Sequence, residues 1–236
     1  GRLKRSDLFR KGFGQDYEGF NRFMDQARGV DALRDLGKDR RMRKAQAKEI
    51  LYHEGDELRT LPLIVHGKVR TFKMNTDGKE LVTGLYGPGD LLGYMGLLES
   101  GRATETAEML EAGETALVPR EGLLALLYRD RDVSVRFIKL LARDVKEKEM
   151  RLLQFAYSTV RQRVAQALLH VHGRYATGDG GLGVSISRDD LAAIVGTATE
   201  SLIRCLTGMK DEGLIDTHGR DIRIKDKVKL QKLAQG

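Results

Sequence analysis

Between Ile186 and Ile224 the apolar positions change period twice, and each change marks a boundary between elements. Leu191, Ile194 and Val195 follow a helical stripe. Ser187-x-x-Asp190 precedes them with the spacing of a capping box, in which a hydroxyl and a carboxylate satisfy the orphan amides of a helix start. A helix is therefore predicted from Arg188, stopping at Gly196. Thr197-x-x-Glu200 offers a second capping box two residues beyond Val195, so another helix is predicted after a very short turn, the arrangement of a helix-turn-helix. At about 100° per residue, Leu202, Cys205, Leu206 and Met209 share one side of that second helix, and Glu200, Arg204, Thr207 and Asp211 the other. Gly213 ends it, Leu214 and Ile215 open a strand, and His218-Gly219-Arg220 turns back into Ile222-Arg223-Ile224. The whole segment reads as a helix-turn-helix with a two-stranded wing.

Upstream the pattern is different. From Ile50 to Pro119, short β-rich runs alternate with turn signals at Glu54-Gly55-Asp56, Asn75-Thr76-Asp77-Gly78, Gly87-Pro88-Gly89-Asp90 and Glu111-Ala112-Gly113-Glu114. This spacing predicts an antiparallel roll or barrel, with Asp77-Gly78 its strongest hairpin signal. After Arg120 the period becomes helical. Phe137, Leu140, Leu141, Val145, Leu152 and Phe155 make an apolar seam, expected both to pack on the roll and to pair with its twin in a dimer. A break near Tyr157-Ser158 precedes a further helix carrying Val160, Val164, Ala167, Leu168 and Val171.

The predicted fold class is α+β: an N-terminal antiparallel β-roll of jelly-roll type, a long dimerisation helix and a C-terminal winged helix-turn-helix. The expected divisions are a helical connector over 1–36, the roll over 37–131, the dimerisation helix over 132–157 and the DNA-binding domain over 158–236.

Composition narrows the function. The 236 residues are 41% hydrophobic, enough for one or two cores. With no apolar run of membrane-spanning length and no signal-peptide core, the chain is expected to be cytoplasmic, with no membrane partner. Cys205 is the only cysteine, which rules out an internal disulfide and a cysteine-ligated zinc or iron-sulfur site within one chain. The net charge of +7 suits a polyanion. Its distribution is more telling: residues 158–236 carry 12 Lys/Arg against 9 Asp/Glu, and residues 1–50 carry 14 against 8, leaving the centre slightly acidic. His53 and His66 stand 13 positions apart with no His-x-His pair, and neither a Gly-rich phosphate loop nor a nucleophile elbow occurs. No enzymatic activity, metal or cofactor is expected. His170 and His172, near a helix end, are of the type that titrates near neutrality at a surface.

The chemistry of the outward helix face points to double-stranded DNA. A glutamate accepts from cytosine N4 and an arginine bonds guanine O6 and N7 together, so Glu200 and Arg204 would both favour G·C pairs. The competing reading makes Glu200 a cap and an i,i+4 ion partner of Arg204, worth about 0.2–0.5 kcal/mol. Ser187, Arg188, Thr197, Thr199 and Ser201 complete the candidate DNA-contacting set.

Roll, long helix and winged helix in this order resemble the bacterial Crp/Fnr family of transcription regulators over residues 37–225. The stretch from Ile50 to Gly101 looks like that family's cyclic-nucleotide-binding-type roll, and Ile186 to Ile215 like its recognition motif. The resemblance implies a homodimer on a pseudo-palindromic site, working with RNA polymerase, with Thr199, Glu200 and Arg204 at the base-reading positions. It also exposes departures. Members that bind cyclic AMP carry arginine where Thr199 stands. They hold the ribose with a Gly-Glu pair and the cyclic phosphate with an Arg-Ser pair, where this chain has Gly93-Tyr94 and Glu105-Thr106. A carboxylate in the arginine's place repels a phosphate, and a register shifted by one brings Thr104 there instead. Arg102 is the nearby cation that could substitute. A degenerate effector pocket is thus expected, with regulation not by cyclic AMP; a haem sensor would need an axial ligand such as His53 or His66. The N-terminal connector resembles the segment that follows a phosphorylatable receiver domain in a subgroup of the family, which would place this chain in two-component signalling. The alternative is a small-molecule sensor, of cyclic nucleotide or haem, whose winged helix contacts protein.

Overall fold

The computed structural model describes residues 41–176, 178 and 180–236. The expected connector over 1–36 lies outside them. Among the described residues seven strands come first: β1 (Arg41–Ala45), β2 (Ile50–Tyr52), β3 (Thr60–His66), β4 (Val69–Met74), β5 (Glu80–Tyr86), β6 (Thr106–Met109) and β7 (Gly113–Pro119), with the short helix α1 (Tyr94–Glu99) between β5 and β6. They build two antiparallel sheets, in the orders β1-β7-β3 and β2-β6-β4-β5. Neighbours in each sheet are mostly far apart in sequence, as in a roll. The β3/β7 register sets Leu61 opposite Val118 and Leu63 opposite Ala116. The turn between β4 and β5 is held by Asn75, whose side-chain oxygen accepts from the amides of Asp77 and Lys79 at 3.1 and 2.8 Å, with Gly78 at φ +76°.

Helices α2 (Arg120–Arg129) and α3 (Arg131–Tyr157) follow. Val133, Phe137 and Leu140 of α3 join Leu61, Ile64, Leu91 and Met109 in one core, with Leu141 partly buried against it. Each such side chain withdrawn from water contributes about 1.5–3 kcal/mol. The seam therefore divides. Its first members are used on the roll, while Ile138, Val145 and Leu152, seven residues apart, stay 54–68% exposed.

The chain then forms α4 (Val160–Tyr175), α5 (Arg188–Val195), α6 (Thr199–Asp211), β8 (Ile215–His218), β9 (Asp221–Ile224) and α7 (Lys227–Gln235). Thr159 and Gln162 cap α4 reciprocally at 3.2 and 2.7 Å, which explains the break after Tyr157. Val164, Leu168, Leu191, Leu202, Met209 and Leu230 are almost wholly buried in a second core. Gln166 is buried too, donating to Ala234 O at 2.9 Å and so fastening α7.

Among the described residues, 41–73 and 83–146 make one compact unit, and 74–82 with 147–236 a second. The hairpin tip between β4 and β5 thus belongs with the C-terminal elements. No helix among the described residues is long and apolar enough to cross a membrane.

Candidate nucleic-acid interface

Helix α5 begins and ends as its sequence dictates. Ser187 accepts from the Asp190 amide at 3.0 Å, and Gly196 takes a left-handed conformation at φ +74°. The amides of Gly196 and Thr197 both donate to Ala192 O, at 2.8 and 3.1 Å. Arginines cover the remaining carbonyls: Arg151 donates to Ile194 O at 3.3 Å, and Arg163 to Val195 O at 3.3 Å and Gly196 O at 3.4 Å. Cations at this helix end also complement its dipole. Both guanidiniums lie over the Phe155 ring, 5.7 and 5.6 Å from its centroid. A Cβ on Gly196 would meet that ring at 2.6 Å, so the tight turn requires glycine for both its φ and its contact.

The start of α6 corrects the sequence reading. Thr197 is not its cap: the N-cap is Ala198, with no side-chain cap bond. Thr197 is already engaged in closing α5, and the Thr199 hydroxyl instead donates to Asp189 at 2.8 Å, linking the two helices. The apolar face of α6 is buried as expected through Leu202, Leu206 and Met209, whereas Cys205 is only half-buried. Glu200 and Arg204 are exposed. The ion pair of the competing reading does not form between them. Among the described residues Glu200 has no hydrogen-bond or ion-pair partner, and Arg204 reaches only Ser201 Oγ, at 3.4 Å.

The wing closes with His218 paired to Asp221 across Gly219-Arg220. Arg188, at the first turn of α5, donates to Gly219 O at 2.8 Å and Arg220 O at 3.2 Å, fixing the wing tip against the helix-turn-helix. Outward Glu200, Arg204 and the wing thus share one structural frame.

Sequence reasoning overlooked one residue and misjudged another. Ile203 is 46% exposed on the outward face of α6, where the periodicity had drawn attention only to polar positions. His170 is not a surface titrator: desolvation, then the nearby Arg151 and Arg174, push its imidazole down to about 3.

In the roll, four of the six candidate effector residues, Tyr94, Arg102, Glu105 and Thr106, hydrogen-bond to the protein's own groups. Gly93, at φ +81°, starts α1, and a Cβ there would meet Leu58 Cδ1 at 2.8 Å. The Tyr94 phenol donates to Asp144 of α3 and its ring meets Phe137 edge-on, at 5.8 Å between centroids. Burial, then Asp144, hold that phenol far above its ordinary range, so it remains a donor. Glu105 accepts from the Thr83 hydroxyl at 2.5 Å, and Thr83 lies 2.8 Å from the Thr71 hydroxyl. Thr106 accepts from the Glu54 amide at 3.0 Å, and the exposed Arg102 donates to Gly55 O at 2.9 Å. Thr104 is half-buried. Two carboxylates and a phenol thus occupy the region, and Arg102 is engaged by a backbone carbonyl. This donor set does not fit a cyclic phosphate.

Comparison with known proteins places both modules. The family model described as cyclic nucleotide-binding domain matches residues 42–130, and that described as Crp-like helix-turn-helix domain matches residues 162–233. The Cyclic AMP receptor protein of Thermus thermophilus is 34% identical over 193 residues, 81% of this chain and 86% of the relative. Transcriptional activator protein FnrA of Stutzerimonas stutzeri is 26% identical over 210 residues, 88% of this chain and 85% of the relative. The structure of FixK2 from Bradyrhizobium japonicum, 26% identical, superposes with a TM-score of 0.73 over 83% of this chain and 97% of that one. With its roll, its helix-turn-helix and its wing matched in this order, the chain belongs to the Crp/Fnr family of DNA-binding transcription regulators.

Proposed function

We propose that this regulator is a cytoplasmic homodimer that inserts α6 into successive major grooves of a pseudo-palindromic site, acts with RNA polymerase, and is not controlled by cyclic AMP. The observation that carries the DNA-reading role is the uncommitted state of Glu200 and Arg204. Groups capable of reading cytosine N4 and guanine O6/N7 stand outward on α6, and among the described residues only Ser201 Oγ, 3.4 Å from Arg204, engages either of them. Thr199 keeps its hydroxyl on Asp189 and serves the helix pair, with Ser187, Arg188, Thr197 and Ser201 arranged around the same end of the motif.

Dimerisation is supported by α3. Ile138, Val145 and Leu152 repeat every seven residues, the spacing of a coiled-coil seam, and all three are exposed. Phe137 and Leu141 serve the roll, and Phe155 the turn after α5, so the pairing surface is this outward line plus its neighbours.

Independence from cyclic AMP is supported by the roll's own bonding. Tyr94 and Glu105 stand where cyclic-AMP-binding members hold ribose and phosphate, and both are tied to the chain's own Asp144 and Thr83. The Thermus relative carries the name of a cyclic AMP receptor; by the family resemblance, Tyr94 and Glu105 are this chain's departures from cyclic-AMP-binding members.

The test is selection of sites from random duplex DNA at near-physiological salt without effector, followed by salt titration against a scrambled duplex. A palindrome with G·C pairs facing Glu200 and Arg204 is expected. Weak, strongly salt-dependent and sequence-blind binding would contradict the reading.

A further inference from the structure

Helix α6 buries Leu202, Leu206 and Met209, so its apolar requirement is met without Ile203. Ile203 lies on the other side, three residues after Glu200 and next to Arg204, with 46% of its surface exposed. A lone exposed apolar residue is ordinary on a protein surface and needs no explanation. Two features make this one different. A β-branched residue is a poor choice for the exposed middle of a helix, where alanine, lysine or glutamate restrict the chain less. It also sits among the groups that face the bases, where an alkyl side chain has one specific partner: the 5-methyl group that thymine alone presents in the major groove. The Thr207 hydroxyl, one turn on, donates to the Ile203 carbonyl at 3.0 Å, which withdraws it from base recognition and leaves this part of the face apolar.

We propose that Ile203 is a specificity-determining residue that reads the methyl group of a thymine adjoining the G·C pairs that face Glu200 and Arg204. This rests on the DNA-reading role proposed above. Each half-site then combines hydrogen-bonded G·C positions with one A·T pair recognised by apolar contact. The orientation of that pair matters, because only the thymine strand carries the methyl group.

The experiment uses the full chain and the duplex obtained by selection, with each thymine of a half-site replaced singly by deoxyuridine, which deletes the methyl and leaves every hydrogen-bonding edge intact. One replacement is expected to weaken binding about four-fold, the worth of one methyl-sized group removed from water. Ile203→Ala should weaken binding to the thymine duplex by a similar factor and abolish the difference between thymine and deoxyuridine at that position, while Ile203→Val retains part of it. Overturning results are a site at which no thymine methyl matters, or an Ile203→Ala protein that keeps the full thymine preference. In both, intact discrimination between selected and scrambled duplex leaves the DNA-reading role standing. Loss of that discrimination in the unmodified protein overturns the DNA-reading role and this inference together.

Discussion

The outward face of α6 and the roll both carry the polar side chains proposed to meet a ligand, but they hold them differently. On α6, Glu200 has no partner among the described residues and Arg204 has one long contact to a neighbouring serine. In the roll, Tyr94 donates to Asp144, Glu105 accepts from Thr83, and Arg102 is spent on a loop carbonyl. A surface poised to bind leaves its hydrogen-bonding capacity to be completed by the partner. A site whose groups complete one another offers an incoming ligand only the cost of breaking those bonds.

The sharpest way to probe this difference is to contrast the two faces of one helix. Leu202→Ala, on the buried face, is expected to lower stability by about 2–5 kcal/mol in denaturant unfolding, the usual result of emptying a packed core position. Arg204→Ala, on the outward face, should leave stability within about 0.5 kcal/mol. It should cost about 1–3 kcal/mol of binding to the selected site and relax one G·C position, with binding to random DNA far less affected. An equal loss on both duplexes would make Arg204 a phosphate contact and remove half of the contrast.

In the roll the direction reverses. Tyr94→Phe deletes the donor to Asp144 and is expected to cost about 1–2 kcal/mol of stability, with no change in DNA affinity. Calorimetry with cyclic AMP should give no binding heat, before or after the change; tight binding by the unmodified chain would break the comparison outright. The mildest effect concerns pH. The folded His170 ring refuses a proton that the unfolded ring accepts near 6.5, because its pKa is lowered to about 3 by desolvation and by Arg151 and Arg174. The unfolded state therefore binds more protons in that interval, and stability should be full above pH 6.5 and fall progressively as pH drops toward 3. His170→Gln is expected to flatten this slope in unfolding measurements made across it.

Much of the candidate interface was legible because helix ends and turns are local events. Ser187, Gly196, Gly213 and the Gly219-Arg220 turn each act within a few residues, and periodicity separated Leu202, Leu206 and Met209 from Glu200 and Arg204. The errors came where one residue was claimed by two elements. Thr197 has the spacing of a cap for α6, but the Schellman-like closure of α5 takes it first. The ion pair of the competing reading, between Glu200 and Arg204, satisfies the i,i+4 rule yet does not form, which is no error of the favoured reading: exposed side chains gain little from ordering themselves for such a contact. Ile203 was missed because counting apolar residues toward the core says nothing about one that points away from it.

What the sequence determined by itself was the order of modules, the limits of the winged helix and the outward polar face, all of which depend on residue type and short spacing. Tertiary structure alone decided how the α3 seam was shared, with Phe137 and Leu140 drawn into the roll while Val145 and Leu152 remained exposed, in line with Ile138, which was not part of the expected seam. It also decided that Tyr94 would find Asp144, fifty residues away, that Arg151 and Arg163 would close the end of α5, and that desolvation, with Arg151 and Arg174, would lower the proton affinity of His170. Each of these depends on chain segments whose approach no local pattern encodes, brought together by the packing within one core or the other.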